Sequence, residues 1–102
     1  MNFFAVSDKG RVRKINQDSC GAFVADTGLG FFIVADGMGG HNAGEVASAV
    51  AVDAFIKGAE NNPGIKTIDQ TTEFIRNTFR RANDVILYKA AADATKIGMG
   101  TT

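Results

Sequence analysis

A chain of 102 residues, of which 45% are hydrophobic and 22% charged, has the composition of one small globular domain and is too short for two. Eleven Lys and Arg side chains balance eleven Asp and Glu, so no field of one sign exists to attract nucleic acid or a membrane surface. One cysteine, no apolar run of the roughly 18 residues that span a bilayer, and no signal-peptide pattern in residues 1–8 predict a cytoplasmic protein.

The predicted elements begin with strands. Residues 3–6 form a short apolar run that ends in a turn-like Ser-Asp-Lys-Gly segment, and they predict a first strand. Residues 20–25 and 30–35 flank Asp-Thr-Gly-Leu, which favours a tight reversal, so they predict a β-hairpin. Because residues 31–35 are apolar at consecutive positions, we expect the second arm to be covered on both faces.

Two helices are predicted after this hairpin. Residues 43–59 carry a broad apolar stripe, and Asn42 with Glu45 resembles a capping box at the helix start. A second helix is predicted from near Asp69, and its charged face is most simply a solvated surface. The apolar face of this second helix is expected to consist of Ile75, Phe79, Ala82, Ile86 and Ala90.

The last residues, Thr101 and Thr102, favour β structure and predict the start of a further strand. Nothing resembles a repeat, a low-complexity segment or an interdomain linker. A few strands and two amphipathic helices would leave open sheet edges and a partly uncovered helix layer, which complete domains normally avoid. The sequence therefore predicts one incomplete domain.

The segment 36–41, Asp-Gly-Met-Gly-Gly-His, indicates chemistry. An aspartate at the end of a strand, followed by glycines, presents carboxylate and carbonyl oxygens, which are hard ligands for Mg²⁺ or Mn²⁺. Two other interpretations stay open. The glycines could simply allow a sharp turn that Asp36 caps. The loop could also bind a nucleotide phosphate, although Asn42 stands where the third glycine of G-x-G-x-x-G is expected.

A second polar group, residues 13–18, precedes the hairpin. Polar side chains of both signs so close to a buried strand either face water in a solvated loop or meet in a shared polar site. In a shared site, Arg13 would offer a planar charged fork for two phosphate oxygens, and Asp18 could order water beside a metal. Cys20, which follows this group, is interpreted as a small core residue.

Four motifs, in this order, resemble those of the bacterial metal-dependent Ser/Thr phosphatases, the PPM or type 2C group. The resemblance runs through the whole chain but covers only the first part of a family domain, so it implies that residues 1–102 are the amino-terminal portion of one phosphatase domain. The motifs are Ser7-Asp8-x-Gly10, Arg13-x-x-Asn16-Gln17-Asp18, Val34-Ala35-Asp36-Gly37-Met38-Gly39-Gly40-His41 and Gly98-Met99-Gly100-Thr101-Thr102.

The resemblance implies an α+β fold, part of a four-layer α-β-β-α sandwich in which helices flank two antiparallel sheets, incomplete in this chain. It implies a binuclear Mg²⁺ or Mn²⁺ centre, with Asp36 as the bridging carboxylate and Gly37 as a ligand through its carbonyl. Arg13 would hold the substrate phosphate, and Asp18 would hydrogen-bond to metal-bound water. His41 would donate a proton to the leaving group, although some relatives place a histidine where this chain has a methionine, and a histidine without a chemical role is the alternative.

The implied activity is the metal-dependent hydrolysis of phosphoserine and phosphothreonine in proteins, with signalling partners such as a Ser/Thr protein kinase and its substrates. The family completes its metal centre with further aspartates from carboxy-terminal segments that are absent here, so we expect little or no activity from these 102 residues alone. The alternative from another class is a noncatalytic module that binds a partner through an exposed sheet edge.

Overall fold

The computed structural model describes residues 16–40 and 42–102. In chain order the elements are β1 (Asp18–Val24), β2 (Gly30–Met38), α1 (Ala43–Glu60), α2 (Ile68–Ala92), a short 3₁₀ helix (Ala94–Lys96) and β3 (Gly100–Thr101). The strands pair antiparallel in the order β1-β2-β3. The fold is therefore α+β, and it confirms the hairpin, both helices and the terminal strand. The strand predicted at residues 3–6 lies outside the described residues.

The β1–β2 hairpin sets the register of the sheet. Its turn is closed by a 2.8 Å hydrogen bond from the Ala25 N–H to the Leu29 carbonyl, and Gly28 adopts a positive φ of 87°. From there the pairing runs without interruption until Asp18 lies opposite Asp36. Because side chains alternate along a strand, every second residue of each strand faces the helices.

Both helices lie on the same face of the sheet. The Ser19 hydroxyl of β1 is 2.9 Å from the Ser48 hydroxyl of α1. The Phe31 ring of β2 meets the Phe74 ring of α2 edge-on, with 5.3 Å between ring centroids. The buried apolar residues fill this layer in two clusters, Ala43, Ala47, Ile86 and Met99 at one end and Ala59, Ile65 and Phe74 at the other.

The other face of the sheet is exposed in this chain. Phe32 is 61% exposed, Val34 77% and Met38 59%, although large apolar side chains are normally buried. The prediction that both faces of β2 are covered is therefore wrong here. Consecutive apolar residues suit a strand that is covered on both faces, but both described helices pack on one face and leave the other open.

The buried side of α2 differs in part from the predicted one. Ala82 and Ile86 are buried as predicted, whereas Phe79 is 62% exposed. Phe74 and Thr78 take the remaining buried positions. Thr78 is polar, so a pattern of apolar residues does not predict that it is buried. Its hydroxyl donates a hydrogen bond to the Phe74 carbonyl at 2.7 Å.

The predicted capping box at the start of α1 is wrong. Asn42 adopts a left-handed conformation with φ 65°, and its side chain makes no capping hydrogen bond. Asparagine tolerates this conformation better than most residues, and the loop backbone contributes instead, because the Gly40 carbonyl accepts from the Ala43 N–H at 2.8 Å. A capping box does start α2, where Thr67 and Gln70 bond each other's backbone N–H groups at 3.1 Å. Its T-x-x-Q pattern is visible in the sequence.

We predict that Thr67→Ala lowers the free energy of unfolding by about 1 kcal/mol, because it removes the side-chain acceptor of the α2 capping box. Urea denaturation followed by circular dichroism measures the change. Thr72→Ala is the matched control, since Thr72 is an exposed residue within the same helix. Equal stability losses in the two variants would contradict the capping role.

Candidate functional site

The register of the sheet brings two carboxylates together. Asp36 exchanges two backbone hydrogen bonds with Thr102, of 2.6 and 2.9 Å, so its N–H and C=O point toward the β3 side. On the β1 side, Asp36 and Asp18 therefore form a non-hydrogen-bonded pair. In such pairs the two Cα atoms are closer than in hydrogen-bonded pairs, at about 4.5 Å. Both aspartates are exposed, on the sheet face opposite the helices. That face thus ends in a pair of acidic side chains.

Gly37 adds a carbonyl oxygen next to this pair. Its N–H donates to the Gln17 carbonyl at 3.1 Å, beyond the last ladder pair of β1 and β2. Hydrogen-bonded pairs alternate with non-hydrogen-bonded pairs along an antiparallel ladder. Asp36–Thr102 is a hydrogen-bonded pair, so the next pair, Gly37–Thr101, is not, and the Gly37 carbonyl makes no ladder bond to β3. No N–H group in residues 16–40 and 42–102 is recorded as donating to this oxygen. It is therefore available as a ligand.

The start of α1 lies directly against this end of β2. A Cβ atom on Gly37 would overlap the Gly44 carbonyl oxygen and would come within 2.6 Å of the Gln17 carbonyl oxygen. A Cβ atom on Gly44 would lie 2.8 Å from the Met38 nitrogen. Both positions require glycine because two backbones touch, and Gly39, in the turn between them, has a positive φ of 134° that favours glycine.

Asp36 does not cap that turn, which removes the capping interpretation. It lies inside β2, and Asn42 is the N-cap residue of α1. Among the described residues, no hydrogen bond to the Asp36 carboxylate is recorded. A carboxylate with no hydrogen-bond partner among residues 16–40 and 42–102, next to a second carboxylate and a carbonyl oxygen, has the chemistry of a cation ligand.

The structure thus brings three predicted site residues together at one end of the sheet, namely Asp18, Asp36 and Gly37. Arg13 and His41 lie outside the described residues, so their predicted roles stay predictions. Sequence reasoning did not single out Ser48, which lies fully buried beneath this end of the sheet and bonds to the Gln17 carbonyl. A serine within an alanine-rich helical stripe carries no signal of such a contact.

These oxygen atoms fit Mg²⁺ or Mn²⁺ in kind but not in number. Hard divalent cations take about six oxygen ligands, of which several are usually carboxylates or water. Among the described residues, no group of three or more His, Cys, Asp or Glu side chains lies close enough to hold a metal ion. The described residues alone therefore do not form a complete metal-binding site. In residues 16–40 and 42–102, no helix is both long and apolar enough to cross a bilayer.

The comparisons with known proteins identify the family of the chain. The sequence model of the family described as protein phosphatase 2C matches residues 9–100. The chain is 36% identical over 96 residues to the serine/threonine phosphatase stp of Listeria monocytogenes, covering 94% of this chain and 38% of that protein. It is 34% identical over 103 residues to protein phosphatase PhpP of Streptococcus pneumoniae, covering 100% of this chain and 41% of that protein.

A solved structure shares the fold as well. The serine/threonine phosphatase of S. agalactiae superposes with a TM-score of 0.86 at 31% identity, covering 95% of this chain and 39% of that one. The α+β architecture is therefore that of these phosphatases. The chain spans about two fifths of the length of these three relatives.

We predict that Gly37→Ala destabilises the fold by at least about 2 kcal/mol, because the new methyl group overlaps backbone atoms that cannot rotate away. Gly40→Ala is the matched control in the same loop, since a Cβ atom there meets nothing within 4 Å and its φ is not positive. It should change stability by no more than about 0.5 kcal/mol. Urea denaturation of both variants tests the close approach, and similar losses would refute it.

Proposed function

The chain belongs to the protein phosphatase 2C family, and on this premise we propose that it is the amino-terminal portion of a cytoplasmic, metal-dependent phosphatase that acts on phosphoserine and phosphothreonine in proteins. The observation that carries the proposal is the antiparallel register that sets Asp18 opposite Asp36, with the Gly37 carbonyl beside them. Three residues of two separate motifs meet there. A shared functional site would bring residues of both motifs together, whereas a solvated loop would not need to.

Asp36 and the Gly37 carbonyl would hold Mg²⁺ or Mn²⁺, with the remaining ligands of a binuclear centre outside this chain. When bound, two such cations make a water nucleophile available near neutral pH and neutralise charge on the phosphoryl oxygens. Asp18, on the neighbouring strand, adds a second carboxylate that accepts hydrogen bonds from water at the site. The pair of carboxylates makes this end of the sheet locally negative, which favours cations there although the whole chain is neutral.

The substrate would be recognised by its phosphate. We propose that the Arg13 guanidinium binds two phosphoryl oxygens, at about the span of one cation plus a phosphoryl group from Asp36. His41 would give a proton to the departing serine or threonine oxygen. Phosphorylated proteins are the proposed partners, among them a Ser/Thr protein kinase and its substrates.

The noncatalytic alternative draws on one observation, the exposed apolar residues Phe32, Val34 and Met38. A contiguous apolar surface indicates a docking face. In the four-layer sandwich of the family, however, one face of each sheet packs against the other sheet and the second face carries helices. The exposed face is thus the one expected to meet the second sheet, so the exposure does not favour a noncatalytic module over a phosphatase.

We predict that the purified 102-residue chain hydrolyses p-nitrophenyl phosphate in MnCl₂ at a rate close to the buffer blank. One carboxylate ligand, Asp36, and one carbonyl ligand, Gly37, are too few to hold two cations firmly. The rate is measured with and without EDTA. Steady Mn²⁺-dependent turnover that EDTA abolishes would show that these residues suffice.

The proposed site is tested by grafting residues 1–102 in place of the matching segment of the Listeria monocytogenes phosphatase. We expect Mn²⁺-dependent release of phosphate from phosphothreonine peptides, and little from phosphotyrosine peptides. Asp36→Asn should lower kcat/KM by about 100-fold or more, because metal ions contribute several kcal/mol to the transition state.

Asp53→Asn is the matched control for this charge removal. Asp53 is an exposed residue of α1, and its 3.1 Å ion pair with Lys57 contributes little to stability. The control should retain full activity. An active graft in which Asp36→Asn is as active as Asp53→Asn would refute the proposed metal site.

A further inference from the structure

Two polar side chains are almost completely buried among the described residues, Ser48 at 0% exposure and Thr78 at 2%. Thr78 donates to the Phe74 carbonyl of its own helix at 2.7 Å. Ser48 instead bonds across to the sheet, with its Oγ atom 2.7 Å from the Gln17 carbonyl oxygen. The two hydroxyls are thus equally hidden, but only that of Ser48 ties a helix to the residue before Asp18.

The protons in this contact can be assigned. A serine hydroxyl donates one proton and can accept others. The Ser48 proton goes to the Gln17 carbonyl at 2.7 Å, since the Glu45 carbonyl is farther away at 3.2 Å. Ser19, 2.9 Å away, then donates to Ser48. The Gln17 carbonyl also accepts the Gly37 N–H at 3.1 Å, so both of its lone pairs are used.

The side chain of Gln17 is tied to the glycine loop as well. Its Nε2 atom donates to the Gly39 carbonyl at 2.9 Å. Its Cδ atom lies only 2.7 Å from where a Cβ atom on Gly44 would be, so the amide fits closely against the start of α1. Gln17 is therefore held at its backbone by α1 and β2 and at its side chain by the loop after β2.

From this arrangement we infer that Ser48 and Gln17 are positioning residues for the metal ligands, an inference that rests on the function proposed above. Gln17 directly precedes Asp18, and its bonds to Gly37 and Gly39 fix the chain on either side of Met38. The network sets the separation of the two carboxylates and the direction of the Gly37 carbonyl. Neither side chain touches substrate.

Without the Ser48 hydroxyl, the Gln17 carbonyl keeps only its bond to Gly37, and the start of β1 loses its tie to α1. The carboxylate of Asp18 and the carbonyl of Gly37 can then shift relative to one another. Removal of the hydrogen bonds that support metal ligands commonly weakens metal affinity by about 10- to 100-fold. We expect an effect near the lower end for Ser48→Ala, because the Gly37–Gln17 bond remains.

The test is a titration of the 102-residue chain with MnCl₂, followed by the paramagnetic broadening of the amide signals of Asp18, Asp36 and Gly37 in ¹⁵N–¹H correlation spectra. Ser48→Ala should raise the Mn²⁺ concentration of half-broadening about tenfold. Thr78→Val is the matched control, because it removes an equally buried hydroxyl that is bonded only within α2. It should lower the midpoint of urea denaturation without changing the Mn²⁺ titration.

Gln17→Met is the second variant, for the case that Ser48→Ala does not fold. Gln17 is half-buried, and methionine keeps the length of its side chain but cannot donate to the Gly39 carbonyl. This variant should also raise the Mn²⁺ concentration of half-broadening. Wild-type Mn²⁺ affinity in the folded variants would overturn the inference and leave the proposed function standing. An equal shift in Thr78→Val would overturn it too, by revealing a general loss of order. If Mn²⁺ does not broaden these signals in the wild-type chain, the inference fails, whereas the proposed metal site is decided by the graft, in which the remaining ligands are present.

Discussion

The structure depends on the close approach of two backbones where α1 begins. Gly37 in β2 and Gly44 in α1 lie so near that a side chain on either would strike main-chain atoms of the other segment. This contact lets the first turns of α1 lie beneath the end of the sheet, within reach of the Gln17 carbonyl. Strand pairing sets Asp18 opposite Asp36, and this contact holds α1 against the neighbouring Gly37. A glycine-rich segment that serves as a sharp turn therefore also builds the site.

The two faces of the sheet have different roles. The face toward α1 and α2 carries the packed aromatic and aliphatic residues, among them Phe31 against Phe74. The opposite face carries Asp18 and Asp36 near one end and three exposed apolar side chains of β2, Phe32, Val34 and Met38. Such a face is unusual for an isolated sheet and is expected for one layer of a sandwich. The proposed phosphatase function would account for the acidic end as well.

The metal interpretation and the turn interpretation of residues 36–41 are not exclusive. Gly37 is needed for the approach of two backbones and Gly39 for a positive φ, but Asp36 lies inside a strand and its carboxylate makes no hydrogen bond to another described residue. Its position follows from pairing with Asp18 on one side and Thr102 on the other. These residues fit the proposed metal site, and the described chain does not supply a complete set of metal ligands.

The sequence by itself determined the hairpin, the two helices and the last strand, because periodicity and turn residues act over a few neighbouring positions. Its motifs also indicated Asp18, Asp36 and Gly37 as site residues. Only the tertiary structure decided the register that pairs the two aspartates, the bond between Ser48 and Gln17, the left-handed Asn42 and the open face of β2. The physical reason is that these features depend on contacts between distant segments. Ser48 and Gln17 are 31 positions apart, and no local pattern records that their atoms meet.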